Sequence, residues 1–184
     1  MSFHSKLLFI VPFIILGRDL FAQDNGAISV NEVRLHSPIE RFQDDLDFYT
    51  GNESFYDGNE GLAAIVKRNW ENGLKEGVYY GEKYTEVNGY QAQKMSFIFF
   101  KDILFKLRWT FQYSAETKIS VLAPELTTFL TSKFGEPEVN DFGFVKNTIW
   151  TKDNYKIMLF QEGKAIATLE LRDDEIQKEV DEIK

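Results

Sequence analysis

Residues 95–113 read MSFIFFKDILFKLRWTFQY, and the second half alternates strictly: Phe105, Leu107, Trp109 and Phe111 stand between Lys106, Arg108, Thr110 and Gln112. Apolar groups every second residue belong to a strand buried on one face, because successive side chains of extended backbone point to opposite sides. A membrane-spanning helix would need about 20 apolar residues in succession. The first half supplies the partner strand. A two-residue turn at Lys101-Asp102 would set Phe97 beside Lys106 and Met95 beside Arg108. A three-residue turn over residues 101–103 instead pairs Phe99 with Phe105, Phe97 with Leu107 and Met95 with Trp109. A slip of one residue carries an apolar set to the wrong face, so the three-residue turn is expected.

Upstream, Asn88-Gly89 is a strong hairpin signal, since both residues tolerate the positive φ of a type I′ turn. That turn sets Val87 against Tyr90 and Tyr80 against Phe97, and one face then carries Val78, Tyr80, Tyr84, Met95, Phe97 and Phe99. Tyr79, Val87, Tyr90, Ile98 and Phe100 point to the other face, together with Lys83, Lys94, Lys106 and Arg108. A purely solvated face carries few large apolar groups. Either a second layer covers them, such as a helix over residues 39–49, or they form an apolar patch rimmed by basic residues. Tyr79, Tyr90, Ile98, Phe100, Lys106 and Arg108 are therefore the candidate partner-binding patch.

The remaining elements read in order. A short strand over residues 27–35 precedes SPIERFQDDLDFY, where Ser37 and Glu40 form a capping box and Pro38 takes the first helical position. Ile39, Phe42, Leu46 and Tyr49 fall on one helical face. Residues 50–61 are a loop by composition, and LAAIVKRNWEN fits a short helix closed by Gly73 or a strand through Ile65 and Val66. A helix near residues 121–134 carries Leu122, Leu126, Phe129, Leu130 and Phe134 and ends at Gly135 before Pro137. Strands FVKNTIWT, YKIMLFQ and KAIATLEL and a charged terminal helix over residues 173–183 complete the chain. The expected class is α+β, with antiparallel β-meanders and helices packed mainly on one face.

From the helix onward, LTTFLTSKFGEPEV, NTIWT, YKIMLF and ATLEL give a helix ending in Gly-x-Pro, a Trp-bearing strand and two further strands. This layout resembles the small bacterial envelope domains of the BamE/SmpA outer-membrane assembly lipoprotein type and the β-lactamase inhibitor proteins. It covers residues 122–171 and rests on Phe134, Gly135, Pro137 and Trp150. The resemblance implies a non-enzymatic binding module of the envelope. The lipoproteins' anchoring cysteine is absent, and no functional residue carries over.

The first residues bear on the compartment. Lys6 precedes the apolar residues 7–16, and LFAQ follows with Ala22 at a cleavage position. Residues 1–22 are thus expected to be a signal peptide, leaving residues 23–184 as a single secreted α+β domain. With no Cys, that domain has neither disulfides nor thiolate chemistry. Cleavage removes two of the 21 basic and one of the 29 acidic residues, so the charge moves from −8 to −9. Such a chain repels phosphate backbones and anionic lipids; no nucleic-acid partner and no transmembrane segment after cleavage are expected, and localisation is periplasmic or secreted.

The chemical inventory is small. His36 is the one histidine of the mature chain, read as a surface residue in a strand-to-helix turn. DGNEG at residues 57–61 resembles the start of a calcium loop, but Gly61, Leu62 and Arg68 occupy the fifth, sixth and twelfth positions and break the pattern. An irregular site would need Glu53, Asp57 and Glu60. No metal or cofactor is expected. Glycoside hydrolysis needs two facing carboxylates, and spacing singles out none. The expected function is a secreted or periplasmic non-catalytic binding module engaged in protein interaction or envelope maintenance. The alternative is a carbohydrate-binding or carbohydrate-active enzyme with paired carboxylates beside an exposed Trp. A third reading, a carrier of apolar small molecules, requires a cavity.

Overall fold

The structure, a computed structural model, describes residues 29–183 except Asn31, Ala115 and Glu116. The expected signal peptide, residues 1–22, lies outside them. Along the chain come β1 (Ser29–Val30), β2 (Val33–Arg34), β3 (Leu46–Phe48), α1 (Glu60–Glu71), β4 (Leu74–Tyr79), β5 (Glu86–Val87), β6 (Tyr90–Gln91), β7 (Lys94–Phe100) and β8 (Ile103–Gln112). Then follow α2 (Ile119–Phe134), β9 (Glu138–Asp141), β10 (Val145–Lys152), β11 (Tyr155–Glu162), β12 (Ile166–Asp173) and α3 (Asp174–Glu182). Eight strands form one antiparallel sheet in the order β3-β4-β7-β8-β12-β11-β10-β9, so the fold is α+β.

The two meanders join where β8 meets β12, Trp109 opposite Leu169 and Leu107 opposite Leu171. On the first face, Leu46, Tyr79, Met95, Trp109, Leu169 and Leu159 line up across six strands. Beside them run Phe48, Gly77, Phe97, Leu107, Leu171, Ile157 and Trp150. Most are wholly buried, each contributing about 1.5–3 kcal/mol on leaving water. α2 covers one end of this face with Leu122, Leu126 and Leu130 and stops at Gly135, whose φ of 86° only glycine adopts freely. The β1–β2 and β5–β6 hairpins supply Val30, Val33 and Val87 to the same core. α3 lies on the opposite face. The strand order is symmetric about β8 and β12, but the helices that follow them fall on different sides, so the halves are not copies of one another.

Several expectations need correction. Asn88-Gly89 does turn at positive φ with Val87 opposite Tyr90. That hairpin is separate from the main sheet, however, and Tyr79 pairs with Met95 while Gly77 pairs with Phe97. Tyr80 is exposed and Val78 points to the second face, because the chain leaves the sheet after Tyr79 and folds back over the first face. No helix forms over residues 39–49. Two 3-10 turns, Ile39–Arg41 and Gln43–Asp45, lead into β3. Ser37 donates its hydroxyl to Arg34 O at 2.9 Å instead of capping a helix. The cause is tertiary. β12 stops pairing with β8 at Lys106, and residues 36–39 take its place: His36 N–H reaches Leu104 O and Ile39 N–H reaches Asp102 O. Pro38 is held extended by that pairing. LAAIVKRNWEN takes the helical alternative, as α1.

The hairpin of β7 and β8 holds the most consequential difference. Its turn has two residues, Lys101 and Asp102, both at positive φ. Met95–Trp109 and Phe97–Leu107 pair as expected, yet Phe99 pairs with Leu104 and not Phe105. A β-bulge between these pairs reconciles the two. Phe105 is the extra residue, so it turns to the second face while Leu104 fills its expected place in the first.

Candidate functional site

The bulge gives the second face its own small core. Ile98, Phe100 and Phe105 lie beneath Val180 of α3, with Leu74 and Ile176 beside them. Asp173 fixes the start of that helix. Its Oδ1 accepts the Glu175 and Ile176 N–H groups at 2.8 and 3.1 Å, while Oδ2 meets His36 Nε2 at 2.7 Å. His36 is thus a partner of a buried helix cap. Burial, then the charge of Asp173, pushes the neighbouring Tyr155 hydroxyl above its usual range.

Between α3 and α1 the sheet is open, forming a groove of about 350 Å³. Its floor is Ile98, Phe105, Lys106 and Arg108. Val66 and Asn69 of α1 form one wall, Gln177 and Val180 of α3 the other, and Leu74, Glu76, Tyr49 and Tyr56 close the end. The charged floor follows from alternation. Lys106, Arg108, Glu170 and Arg172 occupy the phase of β8 and β12 opposite the core leucines and tryptophan.

Three cations converge on Glu170, whose side chain is 7% exposed. Arg108 Nη2 lies 3.0 Å away, Arg172 Nη1 3.5 Å and Lys106 Nζ 3.9 Å. Arg172 also donates to Asp174 Oδ1 at 2.8 Å, and Lys156 approaches the other oxygen at 2.7 Å. Burial pushes the Asp174 carboxyl up, but hydrogen bonds from Lys156 and Arg172 outweigh it and hold it below the ordinary range. A network so satisfied is rigid. Gln177 stands outside it: it donates Nε2 to Asp181 at 2.8 Å, while its buried Oε1 has no hydrogen-bond partner among the described residues.

No family model, curated protein or solved structure matches this chain. The site is therefore judged on its own geometry. No helix among the described residues is long and apolar enough to cross a membrane.

The residues of the candidate patch separate. Ile98, Lys106 and Arg108 line the groove. Phe100 is buried under α3 with the Lys101 ammonium over its ring, so α3, and not a helix over residues 39–49, covers this part of the face. Tyr79 and Tyr90 belong to the first face. Tyr79 packs against Tyr84 and Phe97, and Tyr90 donates its hydroxyl to Glu125 Oε2 at 2.7 Å. The reason is the departure of residues 80–93 from the sheet, which places both tyrosines opposite to what a continuous hairpin requires.

Sequence reasoning missed Phe105, Glu170, Gln177 and Val66 as members of one site. Glu170 and Arg172 do alternate with Leu169 and Leu171, which was a usable signal once β12 was set beside β8. Nothing local marks Gln177 or Val66. Among the described residues Glu76 is the one carboxylate lining this groove; Trp109 and Trp150 are wholly buried, while Trp70 is half-buried. Glu53 is engaged elsewhere, accepting the Thr50 N–H and hydroxyl at 2.6 and 2.8 Å and the Gly51 N–H at 2.9 Å. Among the described residues no group of three or more His, Asp or Glu is placed to hold a metal ion.

Proposed function

We propose that this protein is a secreted, non-catalytic binding domain of the cell envelope, and that the groove between α1 and α3 is its binding site. The observation that carries the reading is the groove lining: half-buried Val66, Leu74 and Tyr49 beside the cations Lys106 and Arg108, which Glu170 holds in place. A concave site that sets apolar groups beside fixed polar ones is built to bind. The apolar residues 7–16 followed by LFAQ, the absence of Cys and the likeness of residues 122–171 to envelope domains support the compartment.

Filling the groove tests this. Val66 is half-buried on α1, so Val66→Trp should fold while obstructing the site. Saturation-transfer NMR against a panel of carboxylates, neutral amphiphiles and oligosaccharides should reveal binders that Val66→Trp abolishes. Binding indifferent to that substitution would overturn the assignment of the site. Cleavage of an oligosaccharide would replace binding with the carbohydrate-active reading.

A further inference from the structure

Granting that the groove binds, we infer that its occupant is a small amphipathic anion: an anionic head on an apolar body. Each part answers an observation. Arg108 commits Nε and Nη2 to Glu170 Oε2, at 3.3 and 3.0 Å. A guanidinium carries five N–H donors in two usable forks, and Nη1 makes no hydrogen bond among the described residues. The Arg108 side chain is 38% exposed, so this second fork is open to an oxyanion arriving in the groove.

The body of the ligand lies against the half-buried Val66, Leu74 and Tyr49. A volume of about 350 Å³ lies at the small end of ligand pockets and sets the size.

Two dyes isolate the head group. 8-Anilinonaphthalene-1-sulfonate carries an anion, a fused apolar ring pair and an N–H; N-phenyl-1-naphthylamine is the same molecule without the sulfonate. Fluorescence titration of the secreted protein at low salt should give one saturable site that holds the sulfonate about tenfold more tightly, the weight of one charge-assisted hydrogen bond. Arg108→Met should remove the preference for the sulfonate, the ratio of the two affinities falling from about ten to about one. Val66→Trp should abolish both. Near-ultraviolet circular dichroism confirms that each variant is folded. Equal affinity for the two dyes, or sulfonate binding unmoved by Arg108→Met, would refute the anionic ligand while leaving a binding groove in place. Binding of neither dye would refute the ligand class outright, and the NMR panel then decides separately whether the groove binds anything.

Discussion

Deleting Phe105 should leave a folded protein. Phe105 is the extra residue between Leu104, which pairs with Phe99, and Lys106, which pairs with Ile98. Without it, β7 and β8 become a regular hairpin around the same two-residue turn, and Phe97–Leu107 and Met95–Trp109 keep their register. The loss is that of a buried aromatic, about 3–5 kcal/mol by truncation. Repair of the ladder where the bulge disrupted it returns about 1 kcal/mol, so the net cost is about 2–4 kcal/mol. Urea unfolding should show that drop with an unchanged slope. Deleting Arg108 is the contrasting case: Leu107 and Trp109 become neighbours, and one must leave the first core for the second face. That protein should not fold. If deletion of Phe105 abolishes folding while Phe105→Ala is tolerated, the register does not rest on the two-residue turn and bulge, and the account of this hairpin fails.

Trp109→Ala and Phe97→Ala should each remove about 3–5 kcal/mol, because both side chains are wholly buried in the first core; losses below about 1 kcal/mol at both would contradict that placement. Glu170→Gln strands three cations, and breaking a buried pair typically costs about 3–5 kcal/mol. Here Arg108 is partly solvated and Arg172 keeps Asp174, so about 2–3 kcal/mol is expected; disappearance of the loss in 1 M salt would mark the cluster as an ordinary surface network. At Glu53, burial raises the carboxyl pKa but the hydrogen bonds from Thr50 and Gly51 outweigh it, lowering it from 4.5 to about 2. A depressed carboxyl stabilises fully above its unfolded pKa, so stability should fall by about 1–2 kcal/mol, allowing for solvent, between pH 4.5 and pH 2. Glu53→Gln should flatten that part of the acid titration, and an unchanged profile would contradict it. N-terminal sequencing of the exported protein should begin near Gln23, and an intact Met1 in the cytosol would refute export.

What could be read from the sequence was what local chemistry decides. The period-two pattern of residues 105–112, the Asn88-Gly89 turn, the helix ending at Gly135 and the three final strands all carry their cause within a few residues. The failures lie where a distant segment intervenes. Ser37, Pro38 and Glu40 present good helix-start chemistry, but residues 36–39 are drawn into pairing with β8, and sheet hydrogen bonds override the propensity. The groove is of the second kind throughout. Lys106 and Arg108 could be placed on the non-core face from their phase, whereas Glu170, Gln177 and Val66 reach them from distant parts of the chain. The choice between two- and three-residue turns at Lys101 treated register as a single quantity, so that keeping Trp109 in the core seemed to demand the longer turn. A bulge separates the two requirements: the tight turn sets one pairing, the extra residue restores the other, and Phe105 passes to the opposite face. That passage seats α3 through Val180, which walls the groove above Arg108, so the same irregularity that defeats a register argument shapes the groove.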